Sequence, residues 1–188
     1  MQNRQWRLAY AAQTVLAGGV IAYPTESVFG LGCDPDCSSA LEQILQIKNR
    51  PAKKGLIILV SDLSQALPYL KPLKPSQIAL IEQTFAQQMR ATTWLIPCLP
   101  EVTPLLRGQY DCLAVRITQH PVARMICQHM QKPLVSTSCN IAGKSEMTQV
   151  TRVRNQMYTQ VEQVVSGRCG GQSPSTIIDM TSRRVIRQ

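Results

Sequence analysis

The run Leu56-Ile-Ile-Leu-Val60 is apolar at every position. A strand with one face in water alternates apolar and polar residues, so a run without alternation belongs to a strand covered on both faces. Helices must therefore lie against a sheet, and the rest of the chain supplies both. Leu8, Ala11, Ala12, Val15 and Leu16 recur at helical spacing and predict a helix over Arg4–Ala17, stopped by Gly18-Gly19. A strand follows at Val20–Tyr23, and Pro24–Gly32 reads as a loop rich in small and hydroxyl residues. Ser39-Ala-Leu-Glu42 has capping-box spacing before a helix that Pro51 ends. Further helices are predicted at Asp62–Leu70, Ser76–Gln88 and Pro121–Met130. Strands are predicted near Thr93–Cys98, Leu113–Ile117, Pro133–Thr137, Val161–Val165, Thr176–Asp179 and Val185–Arg187. Alternation of this kind predicts an α/β fold with a twisted sheet under helices, and 188 residues suit a single domain, 1–188.

No apolar run approaches the ~18 residues of a membrane span, and the N-terminus lacks a secretory pattern. The expectation is a cytoplasmic protein without a membrane partner. Seven cysteines, mostly beside apolar residues, favour reduced structural thiols. Twenty Lys and Arg against eleven Asp and Glu give a net charge of +9, which calls for an acidic partner such as a nucleotide, a phosphate or RNA. Lys48, Arg50, Lys53 and Lys54 crowd one short segment, whereas Arg152, Arg154, Arg168, Arg183, Arg184 and Arg187 spread over the last quarter.

Phosphate-loop, dinucleotide and zinc motifs are absent, and Cys33 and Cys37 have no second pair, so no metal site is expected. His120 and His129 stand without partners at the two ends of one helix and read as cap or surface residues. Three segments remain. Tyr23–Gly32 ends a strand in hydroxyls and glycines that can offer backbone N–H groups. Lys48–Gly55 packs four cations that repel one another unless an anion sits among them. Leu134–Gly143 runs from an apolar strand into Ser136, Thr137, Ser138 and Asn140, neutral donors suited to a phosphate or carboxylate. Cations and neutral donors without a paired nucleophile and base fit nucleotidyl transfer, with magnesium, better than triad hydrolysis.

In this order, Tyr23-Pro-Thr-Glu-Ser-Val-Phe-Gly-Leu-Gly32, Lys48-x-Arg-Pro51, Leu113-Ala-Val-Arg-Ile117 with His120-Pro121, and Ser136-Thr-Ser-Cys-Asn140 resemble the YrdC-type threonylcarbamoyl-AMP synthases, in their short bacterial single-domain form. The resemblance implies an open α/β mixed sheet around a large positively charged cavity. It also implies condensation of L-threonine, bicarbonate and ATP into threonylcarbamoyl-adenylate with release of pyrophosphate. ATP is then a substrate, Mg2+ accompanies it, and no tightly bound cofactor is implied. The product passes to tRNA threonylcarbamoyl-transferase proteins. By the same resemblance Thr25, Arg116, Ser136 and Ser175 enclose threonine, and Lys48, Arg50, Ser138 and Asn140 form a catalytic tetrad. Arg50, Lys54, Ser138 and Arg187 contact the nucleotide.

The chain departs from the family pattern at Gln88-Met-Arg-Ala-Thr-Thr93, which keeps only the final threonine of a Trp-Pro-Gly-Pro-x-Thr block and introduces Arg90. Two other readings compete. One is a non-catalytic module binding double-stranded or ribosomal RNA in ribosome maturation, which the +9 charge favours and the few aromatics disfavour. The other is a carbamoyl-transfer domain of hydrogenase maturation proteins, whose zinc-finger segments are missing.

Overall fold

The computed structural model describes residues 2–87, 90–141 and 144–188. Gln88 and Met89 of the divergent segment, and Ala142 and Gly143 after the Ser-rich strand, lie outside the described residues. Helices α1 (Gln2–Leu16), α2 (Ser38–Ile47), α3 (Pro75–Ala86), α4 (Pro104–Arg107), α5 (Pro121–Met130) and α6 (Val150–Met157) alternate with strands. These are β1 (Ile21–Pro24), β2 (Phe29–Gly32), β3 (Ile57–Val60), β4 (Thr92–Pro97), β5 (Cys112–Ile117), β6 (Leu134–Ser138), β7 (Gln163–Val164), β8 (Thr176–Asp179) and β9 (Val185–Arg187). They form one mixed open sheet in the order β7-β1-β2-β6-β3-β5-β4-β8-β9, with parallel pairs at β1/β7, β3/β5 and β4/β8. Among the described residues no helix is long and apolar enough to cross a membrane.

Side-chain alternation along these strands decides where a ligand can sit. Ile58, Val60, Leu113, Val115 and Val135 point to one face and pack against Leu41 and Ile44 of α2 and Val153 and Met157 of α6. On the other face, Ile21, Tyr23, Leu59 and Leu134 are covered by Leu8, Ala11 and Val15 of α1 and by Val122 and Ile126 of α5. That cover stops short. The next row, Ser136–Ile57–Ala114–Leu95, runs across four hydrogen-bonded strands and lines a cavity.

The segment expected to be a loop from Pro24 to Gly32 holds β2. In Phe29-Gly-Leu-Gly32, Phe29 and Leu31 enter the core while the glycines take the alternate face. A Cβ on Gly32 would stand 2.7 Å from the Tyr23 ring and 2.6 Å from the Val135 carbonyl, so the glycines make room. Three other expectations are corrected. Helix α2 starts at Ser38 behind Cys37 without a side-chain cap, so Ser39 is already inside the first turn. Asp62–Leu70 forms two 3-10 turns, Leu63–Gln65 and Leu67–Tyr69, rather than one helix. The strand expected over Val161–Val165 is only the two residues of β7.

A tight clasp fixes one wall of the cavity. Gly55 and Gly108 both have positive φ, at 62° and 70°, and a Cβ on Gly108 would lie 2.6 Å from both the Gly55 nitrogen and the Lys53 carbonyl. Gly108→Ala is expected to destabilise the protein by about 2–3 kcal/mol, because both the φ and the space exclude a methyl group. That lowers Tm by on the order of 5–10 °C in a thermal melt.

Candidate active site

The cavity floored by that strand row has a volume of ≈ 390 Å³. Five cationic residues line it, Arg50, Lys54, Arg107, Arg116 and Arg187, against one described carboxylate, Glu146. A larger hollow of ≈ 660 Å³ beside Trp6 and Tyr10 is lined by Arg154 but by none of the candidate site residues. The chemistry-bearing side chains converge in the smaller one.

At one end stands Arg116, on the cavity face of β5. Its Nε donates to Thr93 Oγ1 at 2.9 Å and its Nη2 to Ser175 Oγ at 2.8 Å, while those two hydroxyls lie 2.9 Å apart. Arg187 Nη2 donates to the Ser175 carbonyl at 3.0 Å and to its hydroxyl at 3.3 Å. Among the described residues no carboxylate forms an ion pair with Arg116, and its Nη1 has no protein acceptor. Burial pulls this guanidinium below its ordinary value, and the nearby charge of Glu26 opposes that. A half-buried, orientated guanidinium with one free edge is built to take a planar anion. Thr25 and Ser136, both buried, also line the cavity; Thr25 Oγ1 donates to the Val28 carbonyl at 2.7 Å.

At the other end Arg50 Nη2 donates to the Gly55 carbonyl at 2.9 Å, which ties it to the glycine clasp. Its Nε is buried without a partner, and burial lowers its pKa. Exposed Lys54 and the Ser138 hydroxyl complete this end. Two residues of the expected tetrad take a different place: neither Lys48 nor Asn140 lines the cavity. Lys48 Nζ lies 2.6 Å from the Ser138 carbonyl, 2.5 Å from the Asn140 carbonyl and 2.8 Å from Asn140 Oδ1. These three short contacts match the three N–H bonds of an ammonium, and the Ser138 hydroxyl is a fourth, longer contact at 3.3 Å. Lys48, whose pKa burial lowers, thus anchors the turn after β6 from behind, and Ser138 Oγ donates to Asn140 Oδ1 at 2.7 Å.

Sequence reading missed several contributors. Thr93 was visible only as the last survivor of a divergent block, yet it is fully buried and orients Arg116. Arg90 from the same block donates to the Pro174 carbonyl at 2.8 and 3.2 Å, next to Ser175. Arg107 is held by the Val102 and Tyr110 carbonyls, both at 2.9 Å, and no motif announced it. His120 caps α5 and meets the Arg168 carbonyl at 2.9 Å, away from the cavity lining. All seven cysteines are free, and burial pushes the thiols of Cys127 and Cys139 up to about 12.

A family model for Sua5, YciO and YrdC proteins, described as "Telomere recombination", matches residues 13–188. The chain belongs to this family. A threonylcarbamoyl-AMP synthase of Nitrosococcus oceani is 43% identical over 183 residues, 97% of each chain. One from Photobacterium profundum is 37% identical over 182 residues, 96% of this chain and 98% of that one. Among solved structures, P. abyssi Sua5 complexed with L-threonine superposes with a TM-score of 0.83 at 28% identity. That match covers 93% of this chain and 51% of the Sua5 chain, so the protein spans about half the length of that relative. The α/β fold with its open mixed sheet is therefore that of the Sua5/YciO/YrdC family.

Proposed function

We infer that the chain is a threonylcarbamoyl-AMP synthase that joins L-threonine, bicarbonate and ATP. The observation that carries this reading is the free edge of Arg116 in one cavity with Arg50, Lys54 and Arg187. One end suits an amino-acid carboxylate and the other a polyphosphate. The names of the relatives at 43% and 37% identity, and the L-threonine complex of Sua5, support it over an RNA-binding module.

The chemistry follows from that division. The threonine nitrogen adds to the carbon of bicarbonate-derived CO2 and loses a proton, giving a carbamate. A carbamate oxygen then attacks the α-phosphorus of ATP, the bond to the bridging oxygen breaks, and pyrophosphate leaves. Charge grows on the leaving group, and preorganised guanidinium and ammonium donors stabilise it. Arg50, Lys54 and Ser138 at the far end are assigned to that task, Thr25, Arg116, Ser136 and Ser175 to threonine, and Arg187, tied to Ser175, to the nucleotide where it meets the threonine end. Lys48 and Asn140 act by holding Ser138 in place. Mg2+ enters with ATP as part of the substrate; one described lining carboxylate, Glu146, matches a cation carried mainly by phosphates and water. The product is a mixed anhydride that water destroys, so it needs a tRNA-modifying transferase as acceptor, and we place the activity in the cytoplasm with its substrates.

Incubation with ATP, Mg2+, bicarbonate and L-threonine, with each omitted in turn, tests the reading. Adenylate and pyrophosphate that require all four support it. Product that persists without threonine overturns it.

A further inference from the structure

We propose that Glu26 is a positioning residue for the threonine end of the cavity, one that ties together the three segments carrying Thr25, Arg116 and Ser175. The proposal rests on the synthase reading above. Glu26 does not line the cavity, and it lies one residue beyond Thr25 with only 5% of its surface exposed. Its Oε1 accepts the Thr118 hydroxyl at 2.5 Å and the backbone N–H groups of Gln119 at 2.9 Å and His120 at 3.2 Å. Those residues lead from Arg116 into α5, whose positive N-terminal end suits a carboxylate.

The main chain makes the third connection. The Glu26 carbonyl accepts the Gln172 N–H at 2.9 Å, and the Thr25 carbonyl accepts the Gly170 N–H at 3.0 Å. A Cβ on Gly170 would stand 2.7 Å from the Glu26 oxygen, so the contact is close enough to need glycine. This clasp fixes the stretch that ends in Ser175, the hydroxyl that orients Arg116. Glu26 is also the carboxylate whose field raises Arg116, although the two form no ion pair. Its second oxygen, Oε2, is buried without a partner, a cost a merely structural cap could avoid with a neutral side chain.

A neutral isostere separates positioning from general support. Glu26→Gln keeps the shape but turns three charge-assisted hydrogen bonds at Oε1 into weaker neutral ones and puts an amide NH2 group where Oε2 has no partner; Glu26→Asp keeps the charge at shorter reach. For wild type and both variants, L-threonine and ATP binding are titrated calorimetrically, alongside KM and kcat for adenylate formation. The expected result for Glu26→Gln is a threonine Kd and KM raised about tenfold or more, with ATP Kd and kcat within about twofold, and partial recovery in Glu26→Asp. Unchanged threonine affinity in Glu26→Gln overturns the proposal, and so does equal weakening of ATP and threonine binding. A wild-type protein that binds ATP but no threonine overturns the synthase reading itself.

Discussion

Arg116→Met is expected to lower kcat/KM for L-threonine by on the order of 10²–10³-fold while leaving the ATP Kd within about twofold. The reason lies in the double duty of the guanidinium. Two of its nitrogens are spent on Thr93 and Ser175, and the third has no acceptor among the described residues in a side chain that lines the cavity. Removing it leaves a substrate carboxylate facing uncompensated hydroxyls, and losing one partner of a buried charge pair costs about 2–5 kcal/mol. Arg116→Lys is expected to recover only part of the loss. A lysine supplies the charge but not the planar fork that contacts Thr93, Ser175 and a carboxylate together. Steady-state kinetics with threonine as the varied substrate, and ATP titration of the same preparations, measure both halves. Unaltered threonine saturation in Arg116→Met is inconsistent with the assignment.

Lys48→Met has the second largest expected effect, and it acts through structure. Lys48 is 6% exposed, and its ammonium is the shared donor for the Ser138 carbonyl, the Asn140 carbonyl and the Asn140 amide oxygen. Methionine fills similar space but strands those acceptors, at a cost of about 3–5 kcal/mol. Tm is expected to fall by on the order of 10 °C. The turn that follows β6 relaxes, so turnover of the folded fraction falls at least about tenfold as Ser138 leaves its place. Lys48→Arg does not rescue, because three acceptors around one nitrogen do not match a guanidinium. A thermal melt and single-temperature kinetics on folded protein separate the two effects. A stable Lys48→Met variant with full turnover contradicts the anchoring role.

Much of the fold was legible because its signals are local. Pro121–Met130, Thr176–Asp179 and Val185–Arg187 coincide with α5, β8 and β9, and the apolar run at Leu56–Val60 became a central strand covered by packed side chains on both faces. What stayed hidden depends on contacts distant in sequence. Strand β2 reads as a loop because its glycines are the alternate positions that leave room for Tyr23 and Ser136. Helix α6 escaped because Val153 and Met157 are its only buried side chains in a polar stretch. The site shows the same division. Arg50, Arg116 and Ser138 were found from motifs and line the cavity, whereas Lys48 and Asn140 shared those motifs and are not among its lining residues. Thr93 acts through Arg116 and Ser175, 23 and 82 residues away, and Arg107, held by nearby main-chain carbonyls, belongs to no motif. The Arg90 contact to Pro174 also gives the divergent block a role: it braces the stretch before Ser175 from outside the cavity lining.

The central claim is that one cavity joins a carbon from bicarbonate to threonine and then to the α-phosphate of ATP. The most direct measurement is the mass of the adenylate formed from ¹³C-bicarbonate, taken together with the pyrophosphate released. The account predicts a threonine-containing adenylate heavier by the single labelled carbon, with one pyrophosphate for each molecule formed. An unlabelled threonyl-adenylate, or release of ADP and phosphate in place of pyrophosphate, would contradict it.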